Sequence, residues 1–344
     1  MGVNNPGINI FAGIPPLNVN TTGRVFFVGS VAVPGGEVGV DAAGACGDNL
    51  KQPFATWDYA VGQCTANRND TIFILPGHTE TIATSTALNI DVAGVRTIGL
   101  GHGNDRPRFT VATATTATIT FSAANTKTEN IVVIGNLDGL DTAITVTGAD
   151  VSLDIEYRDT SATVEADIAI TASGARFICK LRDVGFTTGD QREASISMNG
   201  VVGARIDIDY YGIVATAVVN FVTTLCSDVE VRGTTYVSGT TDGSKNVVDT
   251  ITGSLWYMDV IDAAAGARYT GGSAAAVASD DITAINNVLG TIASAAATGA
   301  VTATDVLMAY IKQIITMLGP TELDTDTLGA ILRGTGGLAT FPTG

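Results

Sequence analysis

Two pairs of carboxylates stand two residues apart on segments of alternating polarity: Asp154 and Glu156 in VSLDIEY, and Asp207 and Asp209 in IDIDYYG. Positions i and i+2 of a strand share a face, so each pair could set a general acid beside a general base against a glycosidic bond. A structural reading competes with this one. Counting three residues into each of five successive alternating segments gives Glu129, Asp154, Lys180, Asp209 and Arg232, with signs that alternate from Asp154 onward. Stacked on successive coils, such charges form a ladder that pins register and contributes about 0.2–1 kcal/mol per pair. The alternation favours the ladder, and no catalytic residue is expected.

Other chemistry is sparse. The two histidines, His78 in LPGHTET and His102 in LGHGNDRP, both fall in turns, and with distant cysteines they do not make a zinc set. His102 with Asp105 and Arg106 is the one polar cluster retained as a surface site. Asn67, Asn69 and Asp70 form an oxygen-rich turn, but no nonapeptide calcium repeat accompanies it. Phosphate-loop, dinucleotide and nucleophile-elbow motifs are missing from the sequence. No cofactor and no metal are expected. Cys46, Cys64, Cys179 and Cys226 read as small buried side chains of a protein made in a reducing cytoplasm; only Cys46 and Cys64 are near enough for a local bridge.

The elements that carry these residues repeat. From about residue 70 a short alternating strand, a small-residue turn and a second strand recur. The strand starts align at Ile72, Val95, Thr126, Val151, Phe177, Ile206, Val229 and Leu255, at intervals of 23 to 31 residues. That period, without a helical pattern between strands or a leucine/asparagine consensus, predicts an all-β chain. Specifically, it predicts a single-stranded parallel β-helix of about eight coils, a pectate-lyase-like solenoid. Val151, Leu153 and Ile155 point inward; Ser152, Asp154 and Glu156 point out. Thr126 is the polar exception in the inward column.

A solenoid must cover its ends. In residues 53–64, PFATWDYAVGQC predicts an amphipathic turn or helix whose Phe54, Trp57 and Val61 cover the first coil. Residues 1–50 read as an extended arm, with Pro6, Pro15, Pro16 and Pro34 excluding helix and RVFFVGSVAV suited to strand addition. The solenoid occupies 51–270. Residues 271–344 read as a linker and two amphipathic helices. Ile282, Ile285, Leu289 and Ile292 form one stripe; Leu307, Tyr310, Ile311, Ile314 and Leu318 form the other. These stripes are expected to meet copies of themselves on a symmetry axis.

Composition agrees with stacked coils. Charged residues are 15% of the 344, aromatics 6%, hydrophobics 45%, and there are 40 glycines. That much aliphatic surface excludes a disordered chain, and no apolar run is long enough to span a membrane. A net charge of −16 opposes nucleic-acid binding. The opening MGVNNPGINIF lacks the charged and apolar regions of a secretory leader, so none is expected.

The segment LKQPFATWDYAVGQCTANRNDTIFILPGHTETI, residues 50–82, resembles the entry to the β-helix in structural proteins of tailed bacteriophages, where a PFAT-x-YA turn leads into a D-x-I…LPGH-x-E coil. VAGVRTIGLGHGNDRPRFT, ATITFSAAN and EYRDTSAT are similar to later coils of that group. The likeness covers roughly residues 50–185. It implies a particle protein, commonly trimeric, that decorates the capsid or forms a spike or fibre; it carries no catalytic residue. Few aromatics and an outer surface rich in Ala, Thr, Ser and Gly are poor sugar-stacking material, which favours a capsid decoration, or cement, protein. The expected partners are two further copies and the major capsid protein, clamped by the arm. The expected location is the virion exterior, after assembly in the host cytoplasm. The alternative is a tail spike or fibre that binds, and in one version depolymerises, a host surface glycan.

Overall fold

The structure is a computed structural model and describes residues 23–272 apart from 33–36, 43–46, 161–163, 172–176, 185–191, 239–243 and 252. The side chains of 164–167, 177, 178, 180 and 192 are likewise outside the description. All described residues belong to the first of two units, which ends at Ser273. The expected C-terminal stripes, Ile282, Ile285, Leu289 and Ile292 with Leu307, Tyr310, Ile311, Ile314 and Leu318, lie outside the described residues.

The described chain is nearly all β. It opens with β1 (Val25–Val28), the short helix α1 (Trp57–Gly62), β2 (Thr71–Ile74), β3 (Thr79–Ile82), β4 (Leu88–Ile90), β5 (Arg96–Gly99), β6 (Arg108–Val111) and β7 (Ile119–Phe121). Longer strands follow: β8 (Lys127–Gly135), β9 (Leu140–Val146), β10 (Val151–Asp159), β11 (Val164–Ile170), β12 (Phe177–Val184) and β13 (Arg192–Met198). The last are β14 (Arg205–Gly212), β15 (Val214–Phe221), β16 (Val229–Val237), β17 (Val247–Asp249), β18 (Trp256–Asp262) and β19 (Ala267–Gly272).

These strands wind into a parallel β-solenoid. One sheet runs β1-β2-β5-β8-β10-β12-β14-β16-β18-β19 and the facing sheet runs β4-β7-β9-β11-β13-β15-β17. In the first two coils a third side is made by β3 and β6, which pair with each other. At β8 that side merges with the first: Lys127–Glu129 continue from β5, and Val132–Gly135 continue from β6. Asn130 makes the join. Its backbone is left-handed (φ 58°), and its side-chain amide donates to the carbonyls of Gly99 at 2.8 Å and Gly101 at 3.0 Å. From there the described coils consist of two long strands each, up to the short β17 (Val247–Asp249).

Identical inward positions stack from coil to coil. The second sheet aligns Leu88, Ile119, Ile144, Ile168, Ile196 and Val219, and beside them Ile90, Phe121, Val146, Ile170, Met198 and Phe221, all buried. Side chains that alternate across each strand and repeat along the column make one continuous apolar core. Eight strands of the first sheet contain or adjoin the aligned starts, but they bound fewer closed intervals. The wound part amounts to about six turns, not eight coils. The column finishes on a three-residue β17 and an antiparallel return of β19 onto β18.

The arm expected over 1–50 needs correcting from Gly23 onward. The VFFV strand is already paired: β1 lies parallel to β2, with Phe26 and Val28 buried in the main core. Its other edge is covered by its own chain. The Phe27 N–H donates to Gly47 O at 2.6 Å, and Phe54 N–H donates to Phe27 O at 2.8 Å. Gly29 N–H donates to Phe54 O at 2.9 Å. Strand-forming sequence meets the nearest open edge, and here that edge is β2 of the same molecule. Residues 1–22 lie outside the described residues.

Candidate functional site

The N-terminal end is built around α1. Pro53 precedes it, Thr56 caps it by accepting from Tyr59 N–H at 3.3 Å, and the Asp41 carboxylate holds the Ala55 and Thr56 N–H groups at 2.8 and 3.2 Å. Phe54, Trp57 and Val61 are all buried. The Trp57 ring lies 5.0 Å from that of Phe109 and 6.2 Å from that of Phe121, and its indole N–H donates to Thr97 Oγ1 at 3.1 Å. Asp58 holds the Asn89 N–H at 3.0 Å. Burial, with the like charges of Asp91, Glu80 and Asp41, raises its carboxyl above the ordinary value.

His78 is enclosed in the same region. Its Nδ1 accepts from Ser30 N–H at 3.0 Å, which leaves Nε2 to carry the proton toward Glu80 Oε2 at 3.3 Å. The same oxygen accepts from Trp57 N–H at 3.1 Å. Both ring nitrogens are therefore engaged in joining the N-terminal segment, the first coil and α1. The Asn67–Asp70 turn is also internally occupied: Asp70 accepts from Arg24 N–H, Thr65 N–H and the Arg68 guanidinium at 2.7 to 2.8 Å.

The polar cluster expected at His102, Asp105 and Arg106 does not converge. His102 and Asp105 are exposed on a tight turn, and the His102 side chain makes no capping bond. Arg106 reaches instead to Glu156, fifty residues on. This places Arg106, Arg158 and Arg182 around one buried carboxylate, with Arg158 Nε at 2.6 Å and Arg182 Nη1 at 3.6 Å. Burial pushes Glu156 toward protonation, but the hydrogen bonds from Arg106 and Arg158 outweigh it and hold the carboxyl below its usual range. A carboxylate so held cannot serve as a general acid.

The backbone register places the expected ladder residues differently. Asp154 stands beside Glu129 and Lys180, Lys180 beside Asp207, Asp207 beside Arg232, and Arg232 beside Asp259. Asp209 belongs to the neighbouring row, next to Arg182. The expected start at Ile206 is two residues late, since Phe177 aligns with Ala204. A two-residue slip keeps every side chain on its face, so alternation alone cannot detect it. The start at Leu255 is one residue early, and Leu255 is accordingly exposed. Ion pairs around the ladder run within and between strands. Glu129 takes Arg96 at 2.7 Å and Lys127 at 3.0 Å, Arg205 takes Glu230 at 3.2 Å, and Arg232 turns to Glu230. The Lys180 side chain lies outside the described residues.

One feature escaped the sequence reading. Tyr157, Asp183, Tyr210, Thr235 and Asp262 are register partners on successive coils, and all are buried. Asp183 accepts from the Ser195 hydroxyl; Thr235 donates to Asn246 Oδ1 at 2.6 Å, and Asn246 donates to Asp262 Oδ2 at 3.1 Å. Polar pairs of this kind inside a core fix which coil sits against which. Their sequence signal is Tyr, Asp or Thr recurring at a normally apolar strand position.

Burial raises all three described thiols: Cys64 up to about 12, and Cys179 and Cys226 upward as well. Cys46 lies outside the described residues. Among the described residues no three potential ligands gather to hold a metal, and no helix is long and apolar enough to cross a membrane. No family model matches the chain, and neither the curated proteins nor the solved structures compared with it include a match.

Proposed function

We propose that this chain is a structural component of a tailed-bacteriophage particle, a β-solenoid column that decorates the outer shell. The observation that carries the reading is the state of Glu156. The densest titratable cluster on the flank is neutralised by its own arginines, so it acts as cement between coils and offers no proton donor. The resemblance of residues 50–82 to β-helix entries in phage proteins supplies the particle context. Because much of residues 24–30 and 47–54 is hydrogen-bonded into the first coil, the clamp on neighbouring major capsid proteins falls to residues 1–22. Three copies associate through the C-terminal stripes.

Particle imaging with this chain labelled, together with its copy number, tests the reading. Shell decoration gives copies in the hundreds spread over the capsid. A full-length chain added to undecorated shells saturates them, and a variant beginning at Gly23 does not. A handful of copies confined to the tail would establish the second reading, a receptor-binding spike or fibre. The half-exposed Tyr211, stacked on Tyr236 on the same flank as Arg182, is what favours that alternative. Oligosaccharide release from host polysaccharide would extend it to depolymerisation.

A further inference from the structure

Of the two histidines, His102 is exposed and His78 is fully buried. The His78 backbone is fixed at both ends. Its N–H donates to Leu75 O at 3.2 Å, and the Arg108 N–H on the adjacent coil donates to His78 O at 2.9 Å. The ring packs beside Phe109, with centroids 5.5 Å apart. Its two nitrogens serve different parts of the chain. Nδ1 accepts from Ser30 N–H of the N-terminal segment, and Nε2 faces Glu80, whose Oε2 also accepts from Trp57 N–H of α1. Ser30 makes the clasp double, because its Oγ accepts from Thr79 N–H at 2.9 Å.

This arrangement requires a neutral ring. An imidazole nitrogen accepts a hydrogen bond only while it carries no proton, and an imidazolium donates from both nitrogens. Protonation therefore sets Nδ1–H against Ser30 N–H, donor to donor, with the ring sealed from solvent. On the other side the same proton turns the contact with Glu80 into a charge pair, which is the stronger kind of hydrogen bond. Among the described residues Glu80 is the one charged side chain within hydrogen-bond reach of the ring. Beyond it stand Asp58 on α1, Asp41 ahead of α1 and Asp91 after β4, while Arg108 lies on β6.

We propose that His78 is an acid-sensitive latch, whose protonation releases Ser30 and loosens β1 while Glu80 keeps α1 in place. The direction follows from the geometry: the ring is anchored within the coils, and Ser30 lies just past β1 on the terminal segment. Asp58 is a second titratable group in the region. Burial and the neighbouring like charges raise its carboxyl, but it holds the Asn89 N–H, so its titration reads out in α1 and β4 and not at Ser30. The latch belongs to the column itself and is independent of whether that column stands on shell or tail.

Hydrogen exchange of the full-length chain, corrected for the intrinsic pH dependence of exchange, tests it between about pH 7.5 and 5.5, where imidazoles change charge. Protection of β1 and Ser30 falls about tenfold across that interval, as for the loss of one hydrogen bond, whereas α1 and β10 keep theirs. His102→Asn behaves as the wild type. In His78→Asn the side-chain carbonyl can accept from Ser30 N–H at every pH, and the dependence disappears. A second readout leaves position 78 untouched. In His102→Asn a carbon-labelled histidine gives the single ring resonance of His78, and its titration midpoint coincides with that of exchange. Flat protection of β1, a His78 resonance that does not titrate, or the full acid response retained in His78→Asn overturns the proposal. Equal loosening of α1 and β1 overturns it in favour of a general weakening of the end by acid. Particle attachment enters none of these measurements, so failure here is distinct from failure of the decoration reading.

Discussion

The indole N–H of Trp57 donates to Thr97 Oγ1 at 3.1 Å, so the end of the column is fastened to its second coil through a residue of the capping helix. The Trp57 ring is also wedged between Phe109 and Phe121. Trp57→Ala removes a large, fully buried side chain and costs about 3–5 kcal/mol. Thr97→Val removes only the hydroxyl and costs about 1–3 kcal/mol, because the indole N–H is then left unpaired. Denaturant unfolding of the two variants should show that order.

Glu156→Gln leaves Arg106 and Arg158 without their carboxylate. Removing one partner of a buried pair costs about 3–5 kcal/mol, and the lower end applies here because Arg158 and Arg182 can turn toward water. The pH dependence follows from the lowered carboxyl. Its folded value lies below the unfolded value of about 4.3, so the contribution is complete above that pH and is lost as pH falls through the folded value. Acid titration of stability should therefore be steep in the wild type and flatter in Glu156→Gln.

At Gly233 the backbone is left-handed (φ 132°), and a Cβ would stand 1.9 Å from the carbonyl oxygen of Ile208 on the adjacent coil. Gly233→Ala must push β14 and β16 apart. The backbone strain alone is about 1–3 kcal/mol. Hydrogen exchange should accelerate in β14, β16 and β18 while β2 and β5 stay protected, since each coil touches only its neighbours.

His78→Leu removes the acceptor for Ser30 N–H and the donor to Glu80 while keeping an apolar side chain of similar bulk. The N-terminal segment should loosen first. Limited proteolysis is expected to cut within residues 23–32 well before it reaches β10 or β12, with β1 losing exchange protection in step.

Legibility of the fold from sequence depended on what periodicity can carry. The alternation in VSLDIEY and the 23-to-31-residue recurrence are local, and they located the strands of the long sheet. Phe54, Trp57 and Val61 were visible as an amphipathic group just ahead of the first coil. Register was not visible to the same degree: Ile206 slipped by two residues because parity is preserved, whereas Leu255 slipped by one and changed face. VFFV, expected within an arm suited to strand addition, pairs instead with β2 of its own chain, a choice between edges that no local pattern encodes. The Tyr157-to-Asp262 row was overlooked for a related reason. An Asp or Tyr at an inward position looks like an outward one until coil-to-coil partners are known.

The direction of the backbone hydrogen bonds has a mechanical consequence. In a parallel solenoid they run from coil to coil, along the column. Tension along that line loads the coils one after another, so the column yields at its weakest junction, and β15 with the three-residue β17 is the shortest pairing near the far end. Sideways force is shared among all rungs of both sheets at once. The described unit is therefore stiff against being bent across its width and comparatively easy to unzip from an end, which is why the ends carry so much of its fastening.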